Sequence, residues 1–274
     1  MSSIDRSTTT TSATLLKLLP AILLQAKSLL APVRAAASEL VMTLYGTADA
    51  ADVTPAAELV YGPLKGGKTS SPDHRTTLFG ILARLPASAA LSPVLVGLTL
   101  SLLPKESNDV AIGAMMRVLA THLPAALDAG ATLPAPQLAA LVKGMQEPKP
   151  TIRRAVHLTV GSVMWSLPST DASEAAHAFA VGVLPGLESA LKTVASNPLT
   201  SPAGSLEGYV AVAVIKGRLG RWGVKKISAS QSCIRGGSRL RLSTHLPHSR
   251  RHRREPDHAN DLRHRRQAVV PALG

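Results

Sequence analysis

The stretch Pro32–Leu44, PVRAAASELVMTL, decides the fold. Its apolar residues lie 3, 4, 7, 8 and 11 positions after Val33, the spacing of one face of an α-helix. The proline fits the first turn, where a missing N–H costs nothing. A second stretch, Pro150–Val163 (PTIRRAVHLTVGSV), repeats these offsets, with Arg153 in the place of Arg34. The two helices are 119 residues apart, which indicates about three repeats of roughly 40 residues.

Two further stripes of the same kind lie between these helices. Each follows a helix start signal, Ser71-Pro72-Asp73 or Ser107-Asn108-Asp109. The apolar positions of the two stripes are Leu78, Ile81, Leu82 and Leu85, and Ile112, Met115, Met116 and Leu119. The sequence lacks strand alternation bounded by hairpin dipeptides. We therefore predict an all-α HEAT/armadillo-type solenoid, a right-handed stack of antiparallel helix pairs. The residues expected to be buried are Val33, Leu40, Leu82, Met116, Val156 and Val163.

Charge divides the chain into two parts. Residues 1–215 carry 15 Lys/Arg and 14 Asp/Glu, whereas residues 216–274 carry 15 Lys/Arg and 3 Asp/Glu. The basic C-terminal part has no helical period, and its apolar content is too low to offset the entropy of ordering. We predict a disordered arm at residues 1–12, HEAT-like repeats at 13–216 and a basic low-complexity tail at 217–274. From about Ser228 onward we expect no packed structure.

The N-terminus allows a second interpretation. Met1–Ala37 is rich in Ser and Thr, has four Lys/Arg and has Asp5 as its single acid, a composition typical of a mitochondrial presequence. Because Arg34 lies within the repeated helix pattern, we favour a frayed arm followed by a helix of the fold. The tail also has two interpretations, a genuine basic segment or an altered reading frame after Lys226.

One segment matches a nucleotide-binding motif by its letters. Gly62–Thr69, GPLKGGKT, satisfies the phosphate-loop pattern G-x-x-x-x-G-K-[ST]. That motif needs a strand before the loop and a long helix beginning at the lysine. Pro72 follows too soon for this helix, so we predict an exposed inter-helix loop with Gly62 as a C-cap and with Lys68 free in solvent.

The sequence indicates no catalytic, cofactor-binding or metal-ligating residue, and it leaves the binding residues unknown. The histidines of the body are spaced singly, without the spacing of metal ligands, so we expect them to be helix-surface or packed residues. In the tail, His248 and His252 are spaced to share a helix face, but no further ligand completes a metal site. Hydrolase and metalloprotease motifs are absent, so we predict a protein that is not an enzyme and has no small-molecule substrate. The single cysteine, Cys233, excludes an internal disulfide. No apolar run reaches the roughly 18 residues of a membrane span.

Several short segments in a fixed order resemble one known family, the fungal general-control translational activators. The resemblance spans roughly residues 59–216 and cannot be followed beyond about Lys226. The matching segments are Leu59–Leu64, Lys68–Arg75, Glu106–Asp109, Ala120–Leu123, Arg153–Ala155 with Trp165, Ala195–Leu199 and Ala203–Tyr209. Members of this family are very large HEAT-repeat proteins. The resemblance therefore implies an N-terminal fragment of such a scaffold.

The resemblance implies a cytoplasmic scaffold that acts with ribosomes and translation-control proteins. It implies positive regulation of the initiation factor 2 alpha kinase in the amino-acid starvation response. The family's kinase-contacting region has no counterpart here, so we expect this chain alone not to activate the kinase. Non-specific contact of the Arg-rich tail with polyanions is also expected. The alternatives are a HEAT-type adaptor unrelated to translation, binding a peptide or a tubulin-like partner, and a mitochondrially targeted helical protein.

Overall fold

The structure, a computed structural model, describes residues 17–46, 48, 50–66, 71–196 and 205–234. The chain divides into two units, Met1–Cys233 and Ile234–Gly274, and the architecture below is that of the first unit. In the described residues all regular structure is helical, which confirms the predicted fold class. The first helix, α1, covers residues 17–25. The others are α2 (Ala31–Gly46), α3 (Ala50–Lys65), α4 (Pro72–Leu82), α5 (Ser92–Leu102), α6 (Asp109–Asp128), α7 (Ala135–Met145), α8 (Pro150–Ser166), α9 (Glu174–Ser196) and α10 (Ser205–Ile234).

The helices α2 to α9 form two layers. In one layer α2, α4, α6 and α8 pack side by side, and in the other α5, α7 and α9 do so. The layers are joined by the pairs α3 with α4, α5 with α6 and α7 with α8. The even-numbered helices from α2 to α8 begin at Ala31, Pro72, Asp109 and Pro150, which are 41, 37 and 41 residues apart, and α10 begins 55 residues later at Ser205. The predicted repeat of roughly 40 residues is therefore confirmed from α2 to α8, whereas the step to α10 is longer.

The helix ends follow from local sequence. Ser71 Oγ accepts a hydrogen bond from the backbone N of His74 at 3.2 Å, and Asn108 Oδ1 accepts bonds from the first turn of α6. Both predicted start signals are thus N-caps. At the end of α6, Gly130 has φ +83°, a left-handed conformation that glycine adopts without steric cost. The backbone N–H groups of Gly130 and Ala131 bond to two carbonyls of the last turn of α6, which satisfies helix-end acceptors.

Four of the six positions predicted to be buried are confirmed: Leu82, Met116, Val156 and Val163 are at most 2 % exposed. The prediction for Leu40 is wrong, because 47 % of this residue is exposed, and Val33 is half-buried. The buried edge of α2 is instead Ala37, Val41 and Tyr45. Leu40 is exposed because α2 has fewer neighbouring helices than α8 has. Within the even layer α8 has α6 beside it and also contacts α7, whereas α2 contacts α4 on one side.

The helix α6 is the centre of the array. It contacts α4, α5, α8 and α9, and eleven of its residues are buried. Among the described helices it is the one long and apolar enough to cross a membrane, but most of it is buried inside the fold. Its apolar character is therefore that of a core helix packed on several sides.

The predicted boundary between repeats and tail falls inside a helix. α10 runs through residues 216 and 217 and ends at Ile234. Trp222, beyond that boundary, is 6 % exposed and its Nε1 donates to the carbonyl of Pro168 at 3.3 Å. The ordered part of the chain therefore extends further than residue 216. Residues 1–16 and 235–274, and the side chains after Trp222, lie outside the described residues, so the arm and the unpacked tail remain predictions.

Candidate interaction surface

The arginines that mark the repeat hold the turn before each helix. Arg34 Nη1 donates to the carbonyl oxygens of Ser28 and Leu29 at 2.8 and 2.9 Å. Arg153 Nη1 donates to those of Glu147 and Pro148 at 2.9 and 3.3 Å. In both cases the acceptors lie six and five residues before the arginine. The shared set of acceptors explains why an arginine recurs after the first stripe position, and it shows that Arg34 is part of the helical fold.

Ion pairs link the N-terminal ends of successive even-numbered helices. Each pair joins one even-numbered helix to the next or to the turn that leads into it. The pairs are Arg34–Asp73 at 3.0 Å, Arg75–Glu106 at 2.7 Å, Lys149–Asp109 at 2.8 Å and Arg154–Glu207 at 2.7 Å. This row of pairs aligns neighbouring repeats along one edge, although exposed members contribute little stability individually.

Arg75–Glu106 is the most buried of these ion pairs. The Glu106 side chain is 6 % exposed, and Arg75 contacts both of its oxygens, at 2.7 and 3.0 Å. Burial alone would raise the pKa of Glu106. The hydrogen bonds from Arg75 and from the backbone amides of Asn108 and Ser107 outweigh it and hold that pKa below its usual value. Glu106 thus stays ionised and fixes the turn before α6.

The single histidines of the body are packing residues. His74, His122 and His157 are buried, and His177 lies half-buried beside the Trp222 ring. In the part of the chain that the structure describes, no three His, Cys, Asp or Glu side chains come together as metal ligands.

His122 has two hydrogen-bond partners in the core. Its Nε2 lies 3.0 Å from the Leu82 carbonyl and its Nδ1 3.1 Å from Ser92 Oγ. Because a carbonyl can only accept, Nε2 carries the proton and Nδ1 accepts from the serine. Burial lowers the pKa of His122, and the bond to Leu82 opposes this only in part. The neutral imidazole therefore joins α4, α5 and α6.

The phosphate-loop match lies partly in a helix. Gly62, Leu64 and Lys65 belong to α3, so the predicted C-cap at Gly62 and the loop from residue 62 are wrong. The helix continues through Pro63 because Leu64, 2 % exposed, extends the buried face formed by Val60 and other α3 residues. The segment that leads into the motif is the helix α3, whereas a phosphate loop requires a strand there. Residues 67–70, including the predicted exposed Lys68, lie outside the described residues.

A groove of about 640 Å³ crosses the outer face of the even-numbered helices and is lined by α2, α4 and α6. Three arginines line it: Arg34 from α2, Arg117 from α6 and Arg84 from the turn that follows α4. The other lining side chains are small, and the main ones are Ala31, Ala35, Ser38, Gly80, Ala83 and Ala120. The groove is open to solvent rather than enclosed.

The sequence did not identify this groove. Alanine, glycine and serine on the outer face of a helix carry no periodic signal, and they become a groove only when α2 and α6 lie on either side of α4. Arg117 could have been noticed as a lone charge within the apolar α6, between Met116 and Val118. Its proximity to Gly80, 37 residues earlier, depends on the packing of the repeats.

One protein-family model matches the chain, that of the general control nonderepressible 1 (Gcn1) N-terminal region, over residues 72–238. The match begins at the first residue of α4 and extends past the end of α10, so it continues beyond Lys226, where the resemblance could no longer be followed. No curated protein and no solved structure matches the chain. This match covers more than half of the chain, and it shows that the chain belongs to the Gcn1 N-terminal family, a family of regulatory helical scaffolds, and has a Gcn1-related role in translational control.

Proposed function

We propose that this chain is a non-enzymatic, cytoplasmic scaffold that associates with ribosomes through its folded helical surface. As an N-terminal fragment of the family's larger scaffold, it takes part in positive regulation of the initiation factor 2 alpha kinase in the amino-acid starvation response, without activating the kinase by itself. The observation that supports the proposal is the family match across α4 to α10, a continuous run of the helical array. Arrays of this kind present extended surfaces to large partners.

The charge distribution makes the proposal testable. The repeats up to residue 215 are nearly neutral, whereas residues 216–274 carry 15 Lys/Arg and 3 Asp/Glu. A contact made by arginines with phosphate weakens steeply with salt, by about 10³-fold or more between 0.05 and 0.2 M for six or more phosphate contacts. A contact between folded protein surfaces weakens far less. Ribosome binding by the helical array should therefore persist at the higher salt concentration.

The experiment is sedimentation of the full chain and of a chain lacking residues 235–274 with purified ribosomes at these two salt concentrations. We expect both forms to pellet with ribosomes at the higher salt. Loss of binding on removal of 235–274, together with pelleting of that segment alone, would refute the proposed contact. A parallel assay of initiation factor 2 alpha phosphorylation should show no stimulation by this chain alone, because the resemblance places the kinase contact in a region without a counterpart here.

A further inference from the structure

The groove across α2, α4 and α6 has an unbalanced charge. Its described lining contains three arginines and no carboxylate. The remaining lining residues are Ala, Gly, Ser and Thr, so the floor is shallow and without large side chains. How closely two helices approach depends on the side chains at their contact. A floor of small residues therefore allows a helix of another protein to lie close to α4.

The three arginines are not equally available. Arg34 is held by two turn carbonyls and by Asp73, and 15 % of its side chain is exposed. Arg84 pairs with Glu39, and both side chains are largely exposed, 47 % and 68 %. An exposed pair of this kind contributes about 0–1 kcal/mol, so another carboxylate can replace Glu39. Arg84 is thus available to a partner while Arg34 is not.

Arg117 is the most available of the three. It is exposed and makes no ion pair with any residue in the described ranges. It extends from α6, the helix in the middle of the array, whose other face is fully packed. A guanidinium on a rigid helix loses little further freedom when it binds a carboxylate, and it can form two parallel hydrogen bonds with one.

The lining favours a polypeptide over RNA. Single-stranded nucleic acids bind on aromatic side chains that stack with bases, and none of the described residues that line this groove is aromatic. Glu39 and Asp73 lie beside the groove, paired with two of its arginines, and their side chains are 68 % and 66 % exposed. A continuous phosphate backbone would meet these carboxylates, whereas a peptide can place its own acids at Arg84 and Arg117 alone.

We infer that the groove binds an acidic α-helical segment of a partner protein. Carboxylates of that helix pair with Arg117 and Arg84, and its small side chains lie over Gly80 and Ala83. This interaction goes beyond ribosome association and does not depend on it.

Gly80 offers a direct test because it lies on the floor of the groove. A Cβ added there meets no atom within 4 Å, so Gly80→Leu should fill the groove without a clash at the backbone. Gly113 in α6 is the matched control, because it is also half-buried, also meets nothing within 4 Å and does not line the groove. Arg117→Glu is the second variant, with Lys192→Glu, an exposed lysine of α9, as its control.

The probe is a fluorescent Glu/Ala helical peptide of about 20 residues, roughly 30 Å long, with a Lys/Ala peptide and a single-stranded RNA for comparison. Anisotropy titrations of the full chain at about 0.3 M salt suppress tail contacts, since charges beyond roughly 6 Å are then screened. We expect Gly80→Leu and Arg117→Glu each to weaken binding of the Glu/Ala peptide about tenfold or more. Gly113→Leu and Lys192→Glu should leave it within about twofold.

Three outcomes would overturn the inference. The first is binding of the Glu/Ala peptide no tighter than that of the Lys/Ala peptide. The second is equal binding by Gly80→Leu and Gly113→Leu, with circular dichroism showing both variants folded. The third is RNA binding that Gly80→Leu abolishes while peptide binding is unchanged, which would assign the groove to RNA. Ribosome sedimentation of the same variants reports on the proposed function separately.

Discussion

Replacing His122 by phenylalanine tests whether a neutral imidazole joins three helices of the core. Phenylalanine keeps a ring of similar shape but removes the bonds to the Leu82 carbonyl and to Ser92 Oγ. Leu82 O keeps a second partner, the backbone N of Leu85 at 3.2 Å, whereas the buried hydroxyl of Ser92 loses its acceptor. A net hydrogen bond contributes about 1 kcal/mol and an unsatisfied buried group costs about 1–3 kcal/mol. We expect a loss of about 2–4 kcal/mol of unfolding free energy.

The pH dependence gives the sharper measurement. Burial holds the folded-state pKa of His122 below its ordinary value of 6.5. Above pH 6.5 His122 is neutral in both the folded and the unfolded chain, and its contribution to the unfolding free energy is fully present. As the pH falls below 6.5, the unfolded chain takes up a proton before the folded one does, so stability is lost. The loss is about 1.4 kcal/mol per pH unit until the folded pKa is reached.

The assay is urea unfolding, followed by circular dichroism, at a series of pH values between 7.5 and 5. This range lies on both sides of the ordinary histidine pKa. The pKa of His74 is also lowered, first by burial and then by Lys27 and Arg75, so the wild-type slope contains both histidines. His122→Phe should reduce the slope of unfolding free energy against pH by the contribution of His122 and leave that of His74. A slope equal to that of the wild type, or a loss below about 0.5 kcal/mol at pH 7.5, would refute the assigned hydrogen bonds.

Three further predictions concern stability and nucleotide binding. Val156→Asp places a carboxylate where no surface is exposed, and we expect a loss above about 4 kcal/mol, seen as insoluble or unfolded protein; a soluble variant with wild-type helicity would contradict this. Arg153→Lys removes the planar guanidinium whose Nη1 donates to both turn carbonyls, and thermal melts should show a loss of about 1–2 kcal/mol. As a control, Arg117→Lys at an exposed position should change the unfolding free energy by less than about 0.5 kcal/mol. Equal losses in Arg153→Lys and Arg117→Lys would argue against the contact between Arg153 and the turn. Equilibrium dialysis should detect no ATP binding above background, and micromolar binding abolished by Lys68→Ala would disprove that.

The sequence alone determined the fold class and the repeat. Stripes with helical spacing, proline at the first turn and N-caps such as Ser71 and Asn108 act within a few residues, so they predict helices without knowledge of their neighbours. The family resemblance likewise rested on short segments in order. These local signals also predicted that His122 and His157 are helix-surface or packed residues, because neither has further ligands at metal-binding spacing; the structure decided that both are packed.

Only the tertiary structure decided which face of each helix is buried and where a partner can bind. Leu40 and Val163 occupy the same kind of stripe, but α8 has more neighbours than α2, so one residue is exposed and the other is not. The local sequence predicts a helix end at Gly62, but α3 continues beyond it because Leu64 is buried. The groove requires Gly80 and Arg117 to meet across two repeats. Burial and proximity depend on neighbours distant in the chain, and short-range sequence patterns do not encode them.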